Sequence, residues 1–143
     1  MLNSRITPCL LIDNDELYKT VKFRSPKYVG DPLNAVRIFN EKEVDELVVL
    51  DITATQKNKE PDWTLISYIA RECRMPLCYG GGVKTVEQVE KLVSLGVEKV
   101  AIGYAAFSNP KMVSEAINKV GKQSIVGILD VKKARFKRNY DAF

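Results

Sequence analysis

The run Leu47-Val48-Val49-Leu50-Asp51 is the stretch that decides the fold. Four apolar residues in succession predict a short strand buried on both faces, as in a parallel sheet. A second run, Leu77-Cys78-Tyr79, leads directly into Gly80-Gly81-Gly82. In parallel α/β folds, the residues at the carboxyl ends of strands lie at the edge where ligands bind. Asp51 and the triple glycine are therefore predicted to belong to one site.

Helix signals alternate with such runs along the whole chain. Capping residues predict helix starts at Asp31, Asp62, Thr85 and Asn109, and Gln88 completes a capping box with Thr85. Residues 17–23 alternate like a hairpin arm. The predicted strands cover residues 6–12, 47–51, 77–79, 99–102 and 124–130. This strict alternation predicts a parallel α/β fold.

A weak internal repeat favours a barrel over an open sheet. Residues 44–49 align with residues 97–102 two βα units later, as expected for a fold of repeated units. A flavodoxin-like sheet of five strands remains the alternative. The 143 residues hold four βα units and a fifth strand, whereas a closed TIM barrel, (β/α)8, needs about 250 residues. We expect residues 1–143 to be a single, incomplete domain, the N-terminal half of such a barrel.

The composition excludes several kinds of chemistry. The chain contains no histidine, which rules out a histidine general base and a Ser-His-Asp triad. Cys9, Cys73 and Cys78 are odd in number and fit no zinc spacing, so reduced, buried thiols and no metal site are expected. No cofactor is expected either. Acid-base chemistry must then come from carboxylates, Lys, Tyr, Cys or water.

The charge pattern argues against a nucleic-acid partner. The net charge of +4 equals the local excess within residues 131–143, where five basic residues accompany one aspartate. We interpret this segment as a solvated loop, with anion contact as the alternative. Apolar runs are too short for a membrane span, and the first residues lack a signal-peptide core. A cytoplasmic protein without membrane contact is expected.

Charged residues and glycines mark the catalytic edge of the predicted barrel. Asp51 and Asp130 end strands there, where paired carboxylates bind hydroxyls or move protons, unless each caps the loop that follows. Lys19 follows the first strand and is a candidate phosphate ligand, or else an exposed lysine. The glycine run before Thr85 presents backbone amides to an anion, although a tight turn also uses glycine.

Three further charged residues stand near the opposite ends of strands. Arg5, Glu46 and Lys99 alternate in sign, and each is placed at the start of a predicted strand. They are expected to form a ring at the barrel floor. The alternative is a simple ionic plug that stabilises the floor, because the active sites of such barrels lie at the opposite, C-terminal face.

Five motifs in the correct order carry a resemblance to a known family. They are Arg5-Ile6-Thr7-Pro8-Cys9-Leu10, Gly30-Asp31-Pro32, residues 45–54, Gly80-Gly81-Gly82 and residues 96–100. Together they resemble the cyclase subunit of imidazole glycerol phosphate synthase, the histidine-biosynthesis barrel that takes ammonia from a glutaminase partner. The resemblance extends over essentially the whole chain.

The resemblance implies roles for the candidate residues at both ends. It implies a phosphorylated sugar-type substrate and a glutaminase subunit that binds the barrel floor as a heterodimer. It assigns acid-base catalysis to Asp130, ligand or phosphate contact to Lys19, Asp51, Gly80, Gly81 and Gly82, and an ammonia gate to Arg5, Glu46 and Lys99.

Two positions depart from the family pattern. Leu11 stands where the family has its other catalytic aspartate, and Gly103-Tyr104 stands where it has a polar pair that helps to hold phosphate. Asp13 shares a strand face with position 11 and is a candidate substitute. The chain looks more like a divergent branch associated with amidation of sugars for surface polysaccharides. An ammonia-using synthase, a non-catalytic half barrel that binds phosphosugar or glutaminase, and a sugar-phosphate isomerase all remain open.

Overall fold

The structure is a computed structural model that describes residues 3–133 and 140–142, with side chains described up to residue 131. In chain order the elements are β1 (Cys9–Asp13), β2 (Glu16–Val21), β3 (Arg24–Gly30), α1 (Pro32–Glu41), β4 (Leu47–Asp51), α2 (Trp63–Glu72), β5 (Leu77–Gly80), α3 (Val86–Ser94), β6 (Lys99–Ile102), α4 (Tyr104–Ser108), α5 (Pro110–Val120), a short 3-10 helix (Lys122–Ser124), β7 (Ile125–Gly127), β8 (Val131–Lys133) and β9 (Tyr140–Ala142).

The strand order confirms the predicted barrel type. One sheet has the order β3-β2-β1-β4-β5-β6-β7, in which β1, β4, β5, β6 and β7 are parallel neighbours in the order of the chain. A flavodoxin-like sheet reverses its order beside the first strand, so that alternative is wrong. The predicted hairpin arm is β2 paired with β1 and β3. A second, two-stranded sheet consists of β8 and β9.

The local helix signals are confirmed at each predicted start. The side chain of Asp31 accepts from the Asn34 amide at 2.8 Å, and that of Asp62 accepts from the Leu65 amide at 2.9 Å. Thr85 and Gln88 form both halves of the capping box, and α3 ends before Gly96, whose φ is +103°. Asn109 caps α5. The caps satisfy amides that have no partner within their own helices.

The parallel register gives the sheet two unlike faces. Val49, Tyr79 and Val100 are paired across β4, β5 and β6, and all three are buried in the core that packs against the helices. Leu50 pairs with Gly80, which pairs with Ala101, and these residues alternate to the opposite face. The opposite face is the one that lines the interior in a closed barrel.

The first and last predicted strands are shorter than expected. Residues 6–8 run beside residues 45–48, but Pro8 has no N–H to donate, and β1 begins only at Cys9. The last bond of β7 is donated by Ile128 to the carbonyl of Ile102, where its neighbour β6 ends. The prediction of a strand to residue 130 is therefore wrong, because within residues 3–133 and 140–142 no strand pairs with β7 beyond that point. The short helix α4 was not predicted.

Candidate functional site

The carboxyl ends of β4 and β5 lie in direct contact, as the sequence predicts. A Cβ atom on Gly81 would lie 2.6 Å from the Asp51 carbonyl oxygen and 2.7 Å from the Asp51 Cβ, and Gly81 has a φ of +124°. A Cβ on Gly80 would lie 2.9 Å from the Ala101 Cβ. Both glycines are therefore required for close packing between strand ends, whatever ligand binds there.

Gly82 is fixed by the loop that follows β4. Its φ is +70°, and an added Cβ would lie 2.7 Å from the carbonyl oxygen of Lys59. Its amide donates a long hydrogen bond of 3.4 Å to the Thr55 hydroxyl. The turn-making interpretation of the glycine run thus has direct support, and it is compatible with a ligand role for the Gly82 amide.

The first amides of α3 are less available than the sequence suggests. The Gln88 side chain accepts from the amides of Lys84 at 2.8 Å and Thr85 at 3.3 Å, and the Thr85 hydroxyl accepts from the Gln88 amide at 3.2 Å. The capping box therefore occupies three amides that would otherwise face an anion. An anion at this edge depends on the glycine turn and on side chains.

A solvent-open pocket lies between the glycine turn and the start of α4, and its empty space, open solvent included, is about 300 Å³. Its walls are residues 81–84, residues 103–105, Thr55 and Ala101. Lys84 is exposed, and its Nζ donates to the Asn58 side chain. Tyr104 is 72% exposed. The pocket brings together an ammonium group, a hydroxyl, a backbone amide and an aromatic ring from three separate loops.

Asp51 caps the loop that it begins. Its Oδ1 accepts from the amides of Thr53 at 2.9 Å and Ala54 at 2.8 Å. This is the capping alternative that the sequence left open, and it holds residues 53–55 beside the pocket. Asp51 itself is not among the residues that line the pocket.

Asp13 is engaged in a way that disfavours its use as a substitute base. Its Oδ1 accepts from the Thr53 hydroxyl at 2.7 Å and from Lys57 Nζ at 3.0 Å. The hydrogen bond from Thr53, with the nearby ammonium groups of Lys57 and Lys59, lowers the pKa of Asp13. A carboxylate held ionised is a weak proton acceptor. Asp13 instead ties the loop after β4 to the end of β1.

Two predicted rim residues lie away from the pocket. Asp130 is exposed and lies three residues beyond β7, so its placement at a strand end is wrong. Among the described residues, no hydrogen bond joins it to Asp51. Lys19 is exposed within β2 and is paired with Lys27 of β3. The structure therefore brings Asp51 and the glycine run into contact, but neither Asp130 nor Lys19 is among the residues that line the pocket.

At the opposite end, two of the three predicted floor residues form an ion pair. Lys99 Nζ lies 2.7 Å from Glu46 Oε1, and their side chains are 26% and 13% exposed. Arg5 is exposed and precedes β1 by four residues, so its prediction as the start of a strand is wrong. The backbone of its neighbour Ile6 pairs with Asp45, which places residue 5 near Glu46.

The three cysteines are free thiols, as expected. Cys78 is buried beside the Lys99 and Glu46 pair, and burial, with the Glu46 charge second, raises its pKa to about 11. Cys73 is partly buried, whereas Cys9 is exposed, contrary to expectation. Cys9 lies on the interior face of the sheet, and the described residues cover that face only in part. Its thiol is still desolvated enough for its pKa to be raised.

The pocket includes Thr55 and Lys84, which sequence reasoning did not select as ligands, and Tyr104, which it named only as a departure from the family pattern. All three follow predicted strands, but only the fold shows that their loops share one pocket. In the part of the chain that the structure describes, no three or more His, Cys, Asp or Glu residues are grouped to hold a metal ion. No described helix is long and apolar enough to cross a membrane. The basic residues 132–138 lie outside the described side chains.

Comparison with known proteins identifies the family. The model of the family described as "Histidine biosynthesis protein" matches residues 5–140. The chain belongs to this family. The sequential parallel strands described above are consistent with its barrel fold, and the resemblance drawn from the five motifs is confirmed.

Several relatives are named as subunits of imidazole glycerol phosphate synthase. A Vibrio vulnificus protein named "Putative imidazole glycerol phosphate synthase subunit hisF3" is 59% identical over all of this chain and 55% of its own length. A Leptospira interrogans protein named "Putative imidazole glycerol phosphate synthase subunit HisF" is 52% identical, over all of this chain and 56% of its own. The Lactococcus lactis "Imidazole glycerol phosphate synthase subunit HisF" is 37% identical over the same full span. The chain thus spans about half the length of the curated relatives it matches.

Proposed function

We propose that this chain is part of an ammonia-using synthase subunit that binds a phosphorylated sugar-type substrate at the pocket beside the glycine turn. The names of the relatives support a synthase subunit of the imidazole glycerol phosphate synthase type. The observation that carries the substrate class is the pocket itself, in which Lys84 and the Gly82 amide lie next to the Thr55 hydroxyl. A cation and donors of this kind suit a phosphate and sugar hydroxyls.

The catalytic part of the proposal rests on Asp130 alone. Asp130 would accept or return a proton during nitrogen transfer, and Asp51, Lys19 and the glycine turn would hold and cover the substrate. Leu11 has no ionisable group, and Asp13 is held by Lys57 and Thr53. A mechanism that uses two carboxylates at the ends of β1 and β7 is therefore not supported by these residues.

The partner part of the proposal concerns the floor. The relatives are named as synthase subunits, and the resemblance to the cyclase subunit implies that a second subunit is a glutaminase, which would bind at the end of the barrel that carries Glu46 and Lys99. Arg5 lies near this pair through the backbone pairing of Ile6 with Asp45. We propose that these three residues control entry of ammonia into the barrel. The partial burial of Glu46 and Lys99 supports a role at a position that water does not reach freely.

The phosphate site can be tested by calorimetry on the intact protein. Titration with inorganic phosphate and with glycerol 3-phosphate should show binding, and Lys84→Ala should weaken both by about tenfold, the effect of one charged contact. Lys111→Ala is the matched control, since Lys111 is 85% exposed on α5 and lies outside the pocket. Equal affinity in Lys84→Ala and the unmodified protein would contradict the proposal. If Lys84→Ala and Lys111→Ala lose the same affinity, the loss reflects the change in net charge and not a contact in the pocket.

A second candidate, phosphosugar binding without turnover, is favoured by one specific observation. Asp13, the candidate substitute for the aspartate missing at Leu11, is already bound to Lys57. A non-catalytic half barrel would bind glycerol 3-phosphate with Lys84 dependence and yet support no ammonium-dependent reaction. An isomerase needs a pair of acid-base residues at the rim, and none of the described contacts supplies that pair.

A further inference from the structure

We infer that Tyr104 selects a substrate that contains a sugar ring, by stacking its aromatic ring on that sugar ring at the edge of the pocket. The inference rests on the proposed function, because it concerns the same pocket, and it goes further by naming the part of the substrate that is recognised. It is argued from the exposure of Tyr104, from the rigidity of its helix and from the polar groups opposite.

Tyr104 presents an uncovered ring at a concave position. It is 72% exposed and lines the pocket together with residues 81–84 and Thr55. A single exposed aromatic residue is common on protein surfaces and needs no explanation. A ring at the wall of a pocket differs, because a ligand that enters the pocket covers the ring and gains the apolar area removed from water.

The backbone that carries Tyr104 is held in place. Ala105 is buried, and its carbonyl accepts from the Asn109 amide at 2.9 Å. The Ala106 amide donates to the Gly103 carbonyl at 2.9 Å, and the Ser108 hydroxyl donates to the Tyr104 carbonyl at 3.2 Å. The backbone from which the ring projects is therefore set before a ligand binds, so only the side-chain rotation of Tyr104 has to be fixed on stacking.

The other pocket groups define what kind of ring fits. Thr55 and the Gly82 amide provide a hydroxyl and a donor, and Lys84 provides a cation. A cyclic sugar phosphate matches this set, since its C–H face is apolar, its edge carries hydroxyls and its phosphate is anionic. The pocket is open to solvent, so a sugar ring would lie at its edge against Tyr104 and not inside it.

Phe107 supplies a matched control on the same helix. It is 66% exposed, close to the value for Tyr104, but it does not line the pocket. Removing either side chain takes a similar exposed aromatic ring from α4. Only removal of Tyr104 should change the affinity for a ligand in the pocket.

The test compares a phosphate with a ring and one without. Calorimetry on the intact protein would use glucose 1-phosphate and glycerol 3-phosphate with Tyr104→Ala, Tyr104→Phe and Phe107→Ala. We expect Tyr104→Ala to lower the affinity for glucose 1-phosphate by about tenfold, which corresponds to the loss of roughly one covered ring face. Glycerol 3-phosphate should change by less than about twofold. Tyr104→Phe keeps the ring and should retain affinity, as should Phe107→Ala.

Failure of the inference and failure of the proposed function give different results. If the unmodified protein binds glycerol 3-phosphate but gains nothing from the glucose ring, the inference is wrong and the phosphate site stands. If Tyr104→Ala lowers the affinity for both phosphates equally while its circular dichroism spectrum is unchanged, Tyr104 shapes the pocket and does not select a ring. If neither phosphate binds the unmodified protein, the proposed function fails and the inference fails with it.

Discussion

Lys99 Nζ lies 2.7 Å from Glu46 Oε1, although the two residues are 53 positions apart and belong to the ends of two strands that are not neighbours. Lys99 begins β6 and Glu46 precedes β4, with β5 between these strands. The pair therefore reaches across β5, above Cys78, on the interior face of the sheet. It forms because residues at equivalent positions of alternate βα units come to the same face and the same end.

Removal of one member of this pair should destabilise the protein. Lys99→Met leaves the Glu46 carboxylate partly buried without its cation, and we expect the free energy of unfolding to fall by about 1–2 kcal/mol. Urea denaturation measures the change. The double variant Lys99→Met with Glu46→Gln should recover part of the loss, since no unpaired charge remains. Additive losses in the double variant would show that the two side chains do not interact.

The proposed gate predicts a difference between two sources of nitrogen. Lys99→Ala should reduce the glutamine-driven reaction of the complete complex more than the ammonium-driven reaction, because only the former needs ammonia to pass the floor. Steady-state rates with each source measure the ratio. Lys111→Ala on α5 serves as the control. If both rates fall in the same proportion, Lys99 contributes to the stability of the barrel and does not control the passage of ammonia.

The proposed acid-base role of Asp130 predicts a loss that added ammonium does not relieve. Asp130→Asn keeps the shape of the side chain but removes the proton-accepting carboxylate, so the ammonium-driven rate should fall by about 10²-fold or more. The measurement is kcat of the intact protein, with Glu115→Gln on the exposed face of α5 as the control. A rate within a few-fold of the unmodified protein would exclude Asp130 from proton transfer.

Asp15 and Asp62 provide a prediction with a defined pH dependence. The hydrogen bond between them, followed by desolvation and by the charge of Asp62, raises the pKa of Asp15 in the folded state. Ionisation of Asp15 therefore disfavours the folded state above the unfolded pKa of about 3.9. Asp15→Asn should stabilise the protein at pH 7, by less than about 1 kcal/mol because Asp15 is exposed.

The pH profile of that variant separates charge from conformation. Asp15 has a φ of +66°, and asparagine adopts this conformation readily, so the backbone is not strained further. The stabilisation should disappear as the pH falls below about 3.9, where Asp15 is protonated in both states. Urea denaturation at pH 7 and pH 3 measures it. A gain that is equal at both pH values would point to conformation and contradict the electrostatic cause.

Tyr79 predicts a substitution that stabilises the core. The side chain is 2% exposed, and its hydroxyl has no hydrogen-bond partner among the described residues. Burial, with the charges of Asp51 and Asp62, raises its pKa far above the usual tyrosine range. Tyr79→Phe removes an unsatisfied polar atom and should raise the free energy of unfolding by about 1 kcal/mol. A fall of similar size would mean that the hydroxyl is satisfied by an ordered water molecule.

The starts of the helices could be predicted from local signals in the sequence. Thr85 with Gln88, and Asp31 with Pro32, predict their helix starts correctly, because the capping partner lies three residues away in the chain. The βα alternation also predicts a parallel sheet, and the internal repeat favours a barrel. The distinction from a flavodoxin-like sheet needed the strand order, which no local pattern contains.

The end of the last strand shows where local patterns fail. Residues 124–130 read as one strand, yet β7 ends at Gly127 because β6, its only neighbour in the described sheet, ends at Ile102. The length of an edge strand depends on its partner as much as on its own residues. The position of Asp130 relative to the rim was therefore decided by tertiary structure.

The sequence by itself determined the family and the glycine turn after β5, because each rests on short motifs whose residues are close together in the chain. Only the tertiary structure decided that Thr55, Lys84 and Tyr104 share a pocket, that Asp13 is occupied by Lys57, and that Glu46 meets Lys99. These relationships join loops or strands that are separated by 19 or more residues, and the distance between such groups is set by how the strands pair and not by their spacing in the sequence.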